Sequence, residues 1–398
     1  MDITIYPGRL SGMLRAIPSK SQAHRLLICA ALSDQPTVLD CPDTNQDIEA
    51  TAGCLRALGA KILRNNNGYV VTPITDLPKR AILDCRESGS TLRFILPVVC
   101  ALGVQATLHM SGRLPDRPLS PLWEELERMG ARLSRPTKTT ISVSGQLLPG
   151  EYTVSGSISS QFITGLLLAT ALLPGTSHIT VTGELQSKPY VDITRQVLSL
   201  FGVSSEKNII HGARPLTSPG HVCVEGDWSN AAFFLVANGL GSSLTIQNLN
   251  PNSVQGDRTI AAIIEQDAQN PVISAADIPD LVPIMAVLFG AKNGAIFTDI
   301  QRLRMKESDR VASVSNMMEA FGVPVVSTES TLTIGSGCFR SCTVDAAGDH
   351  RIAMAAAIGA TVANGPVTIL GAECVAKSYP VFWQEFKHLG GNYEQHIR

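Results

Sequence analysis

The chain has no large excess of charge of either sign: 32 Lys and Arg stand against 34 Asp and Glu, a formal net charge of -2. General nucleic-acid and membrane-surface binders carry a surplus of Lys and Arg, so this balance argues against both partners and makes any basic site local. Aromatic residues are few, at 5%, which is sparse for a base-stacking surface. No apolar run reaches membrane-spanning length before Thr, Gly or Pro interrupts it. The opening Met1-Asp-Ile-Thr-Ile-Tyr6 lacks the basic and apolar regions of an export signal, so a cytoplasmic protein is expected. Cysteines number nine, an odd count, and most sit singly in apolar segments, as Cys29, Cys54 and Cys100 do. They read as small buried hydrophobes in a reducing compartment. Cys338 and Cys342 stand four apart, but no second pair or His couple follows at zinc spacing, so no metal site is expected.

What the chain does have is length and apolar content. At 398 residues and 44% hydrophobic it exceeds one ordinary core, and two or three domains are expected. The segment Pro18-Ser-Lys-Ser-Gln-Ala-His-Arg25 runs directly into apolar Leu26 to Leu32 and reads as a polar turn opening a helix. The free N–H groups of a first helical turn attract anions, and Lys20 and Arg25 add full cations there. Taken alone, the segment reads first as a capped surface helix with two solvated cations, and only the rest of the chain favours an anion site.

The rest of the chain repeats the pattern. A short turn rich in Ser, Gly and Asp, followed by about ten apolar residues, recurs six times. With Ser21, Ser90, Ser159, Ser229, Asp280 and Asp349 as anchors, the intervals by subtraction are 69, 69, 70, 51 and 69. A fixed period of this size marks a repeated structural unit, and the short interval marks a copy, the fifth, that has lost a piece. Between anchors lie strand-like runs such as Val70-Val-Thr72 and Thr140-Ile-Ser-Val143, and second helices such as Leu122 to Met129 and Val191 to Phe201. Each unit is therefore a mixed α/β module of βαβαββ type. Helices that are apolar nearly all round, as Phe162 to Leu173 is, should be buried at the centre. The expected α/β fold has two domains of three units each, one over residues 16–225 and one over 1–15 plus 226–398, with hinge crossings near 16–20 and 219–227. Within the short interval, Ala261 to Gln266 can form a helix that Asp267-Ala-Gln-Asn-Pro271 ends early. Helix N-termini directed into the gap between the domains would make that gap the place of function.

The repeated turns and their neighbours hold Lys20, Arg25, Arg117, Lys306, Arg310, Arg351 and Lys377 as cations, with Asp280, Glu307 and Asp349 as carboxylates. That balance suits a small polyanionic substrate, because Arg presents a planar fork and Lys a compact point charge. Gly89 would let a ligand approach the backbone closely.

These residues fall into ordered motifs: Ser19-Lys-Ser with Arg25, Ser88-Gly-Ser-Thr-Leu-Arg93, Asp116-Arg-Pro118, Ser159-Ser-Gln161, Ser187-Lys-Pro-Tyr-Val-Asp-Ile-Thr194, Glu225-Gly-Asp227, Ile278-Pro-Asp280, Lys306-Glu-Ser-Asp-Arg310, Asp349-His-Arg351 and Lys377. In them the chain resembles the 5-enolpyruvylshikimate-3-phosphate synthase family of enolpyruvyl transferases over nearly its whole length. The resemblance implies two inside-out α/β domains and transfer of the carboxyvinyl group of phosphoenolpyruvate to the 5-hydroxyl of shikimate 3-phosphate. It implies no metal or other cofactor, no nucleic-acid or membrane partner, and a monomer. By motif, Lys20, Ser21, Arg25, Ser159, Ser160, Gln161, Ser187, Tyr190, Asp280 and Lys306 would hold shikimate 3-phosphate. Lys20, Gly89, Arg117, Gln161, Arg310, Arg351 and Lys377 would hold phosphoenolpyruvate. Asp280, Glu307 and Lys20 would carry the proton transfers, while Ser187 and Asp349 also suit helix caps, and His350 would orient Arg351 or assist a proton transfer.

Two departures stand out: Glu87 where many relatives carry Asn, and Arg302 where others carry a neutral polar residue. Three rival functions fit the sequence less well. A UDP-N-acetylglucosamine enolpyruvyl transferase usually carries a reactive Cys in the loop that here reads His109-Met-Ser-Gly-Arg-Leu-Pro-Asp-Arg-Pro118, without one. An RNA 3′-phosphate cyclase-like binder would need an extended basic stripe. A catalytically dead relative would not be expected to keep the acid/base residues.

Overall fold

The computed structural model describes residues 1–212, 215–266 and 269–396. The chain is mixed α/β, with helices and strands alternating along most of its length. It divides into two compact units, Pro18–Glu225, and Met1–Ile17 with Gly226–Arg398. The first boundary falls at 17/18 rather than 15/16. Ala16 N donates to Gln247 O, and Asp227 N donates to Ile17 O, so residues 16 and 17 are held by the second unit's own backbone.

The repeated turns open six helices: Lys20–Ala31, Gly89–Leu102, Ser160–Thr170, Trp228–Gly239, Val282–Gly290 and His350–Ala360. Their sequences are apolar around most of the circumference, so burial on all sides is the favourable solution. Val282–Gly290 has every residue buried, and His350–Ala360 likewise. Each unit closes its own core around three of these helices. Four of the six are capped by a side chain from the repeated turn: Ser88 accepts from Thr91 N, Ser159 from Gln161 N, Asp227 from Asn230 N and Asp349 from Arg351 N.

In the Pro18–Glu225 unit, the helices Gly89–Leu102 and Ser160–Thr170 pack closely, and the sequence supplies the reason. Pro97 lies inside the first helix and has no N–H, which leaves the Arg93 carbonyl four residues earlier without its helical donor. Gly165 of the second helix faces that carbonyl, where a Cβ would stand 2.2 Å from Arg93 O and 2.9 Å from Pro97 Cγ. Only a residue without a side chain fits this crossing.

Sheets surround the helices. Among the described residues, the Pro18–Glu225 unit has two four-stranded sheets and one of three strands. One runs His221–Cys223, Thr37–Asp40, Gly68–Thr72, Lys61–Asn65, and a second runs Arg80–Asp84, Gln105–His109, Thr140–Gly145, Ala131–Thr137. Among the described residues, the other unit has two four-stranded sheets and one of two strands, Ser11–Arg15 parallel to Ser243–Gln247. The opening strand, Asp2–Tyr6, lies between Val367–Leu370 and Asn392–His396, antiparallel to both.

The two-stranded sheet is the physical meaning of the short interval. Between Lys20–Ala31 and Gly89–Leu102 the chain makes a twelve-residue helix, Gln46–Ala57, and the antiparallel pair Lys61–Asn65 and Gly68–Thr72. Between Trp228–Gly239 and Val282–Gly290 the helix shrinks to Ile260–Ile264, and among the described residues no such pair follows it before Val272–Ser274. The helix ends before Gln266; Asp267 and Ala268, within the expected breaker, lie outside the described residues. Among the described residues, no helix is long and apolar enough to cross a membrane.

Candidate active site

In the Pro18–Glu225 unit, Lys20 is the first residue of its helix, and its ammonium pairs with Asp47 Oδ2 at 2.9 Å. Asp47 stands in the first turn of Gln46–Ala57, where an acidic residue complements the helix dipole. Arg25, one turn after Ser21, is 2% exposed and ties three helices together. Its Nε donates to Thr194 Oγ1 at 2.7 Å, and its Nη2 donates to Thr164 Oγ1 at 3.2 Å and to Tyr190 O at 2.9 Å. Its Nη1 donates to Ser21 O. Burial pulls the guanidinium down to about 9, which still leaves it a cation at neutral pH.

A buried hydroxyl chain joins the neighbouring turns. His24 Nδ1 meets Thr51 Oγ1 at 2.7 Å, Thr51 meets Thr91 Oγ1 at 2.7 Å, and Thr91 reaches Ser88 Oγ at 2.8 Å. Burial lowers His24 to about 3, against the pull of Asp47, so its ring is neutral.

Beside that chain, Gly89 opens its helix against two arginines: a Cβ there would lie 2.6 Å from Arg117 Nη1 and 2.7 Å from Arg93 Nη1. Arg93 donates to Gln161 Oε1 at 3.2 Å and to Pro118 O at 2.9 Å, and Gln161 Nε2 donates to Ser90 Oγ at 3.0 Å. Gly89, Ser90, Arg117, Gln161 and the Ser159–Ser160 turn thus form one polar cluster, with Arg93 as a member that composition alone did not single out. Ser160 is buried, and Tyr190 is half-buried with its carbonyl on Arg25. Ser187 precedes Lys188–Leu200 in left-handed backbone, at φ 56°, and makes no side-chain cap bond. Glu87 places its carboxylate where a side chain on Gly112 would stand.

The other unit holds the carboxylates. Asp280, just before Val282–Gly290, receives Arg310 Nη1 on Oδ1 at 2.8 Å, with Lys306 Nζ 3.5 Å away, and Arg351 Nη2 on Oδ2 at 3.0 Å. Arg310 also donates through Nη2 to Glu307 Oε2 at 2.9 Å and through Nε to Asp349 Oδ2 at 3.0 Å. Asp349 is fully buried and also receives Ser308 Oγ at 3.2 Å. Burial alone would raise Asp280, but Arg351, Lys306 and Arg310 outweigh it and hold the carboxyl well below its ordinary range. Burial draws Lys306 down to about 8, with Asp280 opposing. Arg310 is pushed up despite burial, because Asp349, Glu307 and Asp280 all favour its charge.

Asp257 is the member that sequence reasoning missed. It is 3% exposed, receives Ser229 Oγ on Oδ2, and is raised to about 8 by burial and then by the Asp280 charge. Its only sequence signal is its place in the shortened interval. His350 is buried with Nδ1 3.9 Å from Asp349 Oδ1. Lys377 is buried at the end of the 3-10 segment Ala372–Lys377, which packs against His350–Ala360.

Chemically, the first cluster offers donors and cations for oxyanions. The second offers one carboxylate held ionised, a neighbouring one on the same arginine, and a lysine able to change protonation near neutral pH.

Comparison with known proteins supplies the context. The family model described as EPSP synthase (3-phosphoshikimate 1-carboxyvinyltransferase) matches residues 5–386. A 3-phosphoshikimate 1-carboxyvinyltransferase of Clostridium kluyveri is 37% identical over 418 residues, covering 99% of this chain and 98% of that relative. One from Clostridium novyi is 36% identical, covering 98% of each. Among solved structures, an EPSP synthase from Acinetobacter baumannii matches with TM-score 0.81 at 24% identity, over 99% of this chain and 100% of that one. The enolpyruvyl transferase NikO from Streptomyces tendae matches with TM-score 0.76 at 16% identity, over 99% and 98%. At those identities the two structural matches speak to the fold.

Proposed function

We infer the reaction from the premise that this chain belongs to the EPSP synthase (3-phosphoshikimate 1-carboxyvinyltransferase) family. It transfers the enolpyruvyl group of phosphoenolpyruvate to shikimate 3-phosphate, a step of the shikimate pathway to aromatic amino acids.

In our reading the transfer runs by addition and elimination. The methylene of phosphoenolpyruvate gains a proton, the 5-hydroxyl oxygen bonds to the adjacent carbon, and the hydroxyl loses its proton. The resulting tetrahedral intermediate then loses a methyl proton and releases phosphate, regenerating the double bond. We assign Asp280 to the hydroxyl and Glu307 to the methylene, with Lys20 as the rival for either. Ser21, Arg25, Ser159, Ser160, Gln161, Ser187, Tyr190 and Lys306 are assigned to shikimate 3-phosphate, with Lys20 and Asp280. Gly89, Arg117, Gln161, Arg310, Arg351 and Lys377, again with Lys20, are assigned to phosphoenolpyruvate.

The observation that carries this reading is Asp280 held among Arg310, Lys306 and Arg351, with Glu307 on the same arginine. A carboxylate stabilised by three cations accepts a hydrogen bond readily but is a weak base. Substrate anions that draw Arg310 and Arg351 toward themselves would weaken that stabilisation and raise its basicity when substrate is present. The reaction needs no metal or organic cofactor in this reading, and the enzyme works as a cytoplasmic monomer on small-molecule substrates.

Phosphate release with shikimate 3-phosphate and phosphoenolpyruvate together tests the proposal, compared with each alone and with UDP-N-acetylglucosamine as acceptor. Release with the first pair only is the expected result. Release only with the nucleotide sugar, or with no acceptor at all, would overturn it.

A further inference from the structure

We propose that Asp40, His221 and Cys223 form a binding site for a divalent transition-metal ion of zinc type, separate from the groups assigned to catalysis. The three residues are brought together by strand register. Thr37–Asp40 and His221–Cys223 pair in parallel, with Val38 opposite His221 and Asp40 opposite Cys223. Residues two apart on a strand share a face, and paired residues of neighbouring strands do too, so all three side chains rise from one side of the sheet. A single carboxylate oxygen, Asp40 Oδ2, lies 2.9 Å from His221 Nε2 and 3.1 Å from Cys223 Sγ. The three potential ligand atoms lie within 4.8 Å of one another.

The donor set selects the metal. One imidazole nitrogen, one sulfur and one carboxylate oxygen suit a borderline-soft dication, whereas calcium and magnesium prefer several oxygens. Around a tetrahedral zinc, ligand atoms stand roughly 3.3–3.6 Å apart. The observed oxygen–nitrogen and oxygen–sulfur distances are a few tenths of an ångström shorter, a spread that side-chain torsions supply. On binding, the thiol gives its proton to solvent and the imidazole presents a bare Nε2. Thiolate and carboxylate then balance the two positive charges, and water takes the fourth position on the exposed side.

Such an ion would fasten a short edge strand. His221–Cys223 has three residues, and its unit ends at Glu225. A coordinated metal would tie that strand to Thr37–Asp40 more strongly than the backbone pairing alone, and would stabilise the folded form by mass action.

The test is titration of the chelator-treated full-length protein with Zn²⁺ by calorimetry, and with Co²⁺ by absorption spectroscopy. The expected result is one equivalent bound per chain, a thiolate-to-cobalt charge-transfer band, and protection of the Cys223 thiol from alkylation. Cys223→Ser should remove the band, and His221→Gln should weaken binding about tenfold or more. Cys338→Ser, which alters another exposed thiol, should leave both unchanged. Folding of each variant is checked by circular dichroism, which these exposed substitutions should not disturb. Absence of saturable binding, or binding unchanged by Cys223→Ser, would overturn the proposal.

Discussion

Asp280 and Arg310 form a 2.8 Å ion pair in which neither partner is exclusive. The carboxylate also meets Arg351 at 3.0 Å, and the guanidinium also meets Glu307 at 2.9 Å and Asp349 at 3.0 Å. Arg310 is 1% exposed, so little water is available to replace any contact that is lost. The pair is therefore the centre of a small buried lattice of charge, and its members are expected to respond together.

Arg310→Met would leave Asp349, Glu307 and part of Asp280 without their shared cation. Removing one partner of a buried ionic set costs about 3–5 kcal/mol, because the remaining charges stay buried and uncompensated. Urea denaturation should show a midpoint far below that of the parent chain. A loss under about 1 kcal/mol would mean that water or Lys306 substitutes for the guanidinium.

Glu307→Gln keeps the size of the side chain and its acceptor for Arg310 but removes the acid. Turnover should fall roughly 10²- to 10⁴-fold if Glu307 transfers a proton to the methylene. Shikimate 3-phosphate binding, followed by calorimetry, should change little. Near-normal turnover would take Glu307 out of the role.

Gly89→Ala should spare the fold and damage catalysis. The added Cβ would meet Arg117 Nη1 at 2.6 Å and Arg93 Nη1 at 2.7 Å, the far ends of two flexible side chains. Those ends can move, but the guanidinium groups then leave their positions. Misplacement of about 1 Å can cost up to about 10²-fold, so kcat/KM for phosphoenolpyruvate should fall roughly ten- to a hundredfold with unfolding unchanged. A variant with normal kcat/KM would remove Gly89 from the proposed substrate contact.

Asp257 gives stability a definite pH dependence. Burial and the Asp280 charge raise it from 3.8 to about 8, against Arg351 and Lys306. The folded chain keeps this proton where the unfolded chain has already released it. Its contribution is therefore complete below about pH 4 and is lost as the pH rises toward about 8, at no more than about 1.4 kcal/mol per pH unit. Denaturation at pH 5, 6, 7 and 8 should show a smaller decline in Asp257→Asn than in the parent chain. Equal declines in both would contradict the raised value.

Much of the architecture was legible because the six polar turns repeat at a nearly constant interval and each opens an apolar helix. The caps at Ser88, Ser159, Asp227 and Asp349 are local, and local chemistry reads directly from sequence. The Asp280, Glu307 and Arg310 group was legible for a similar reason, since two of its members stand three apart before a helix. Arg25 was read as a ligand group, and the fold also makes it a tie among Thr164, Thr194 and two carbonyls, which no spacing announces. Asp257 lies in the one interval that breaks the period, where the repeat offers no guide. The meeting of Asp40 with Cys223 depends on the register of two strands far apart in the chain, and register is set by the whole sheet.

The opening strands have a consequence for how the molecule is made. Ser11–Arg15 pairs with Ser243–Gln247, and Asp2–Tyr6 pairs with Val367–Leu370 and Asn392–His396. Ser11–Arg15 must therefore wait for a strand in mid-chain and Asp2–Tyr6 for two later ones, while every strand pairing described for Pro18–Glu225 lies within that unit. Synthesis would complete the later-starting unit first, with the N-terminal strands held unpaired in the meantime. Translation speed beyond residue 225 thus sets how long Asp2–Tyr6, whose Ile3 and Ile5 are fully buried in the folded unit, stays open to wrong partners.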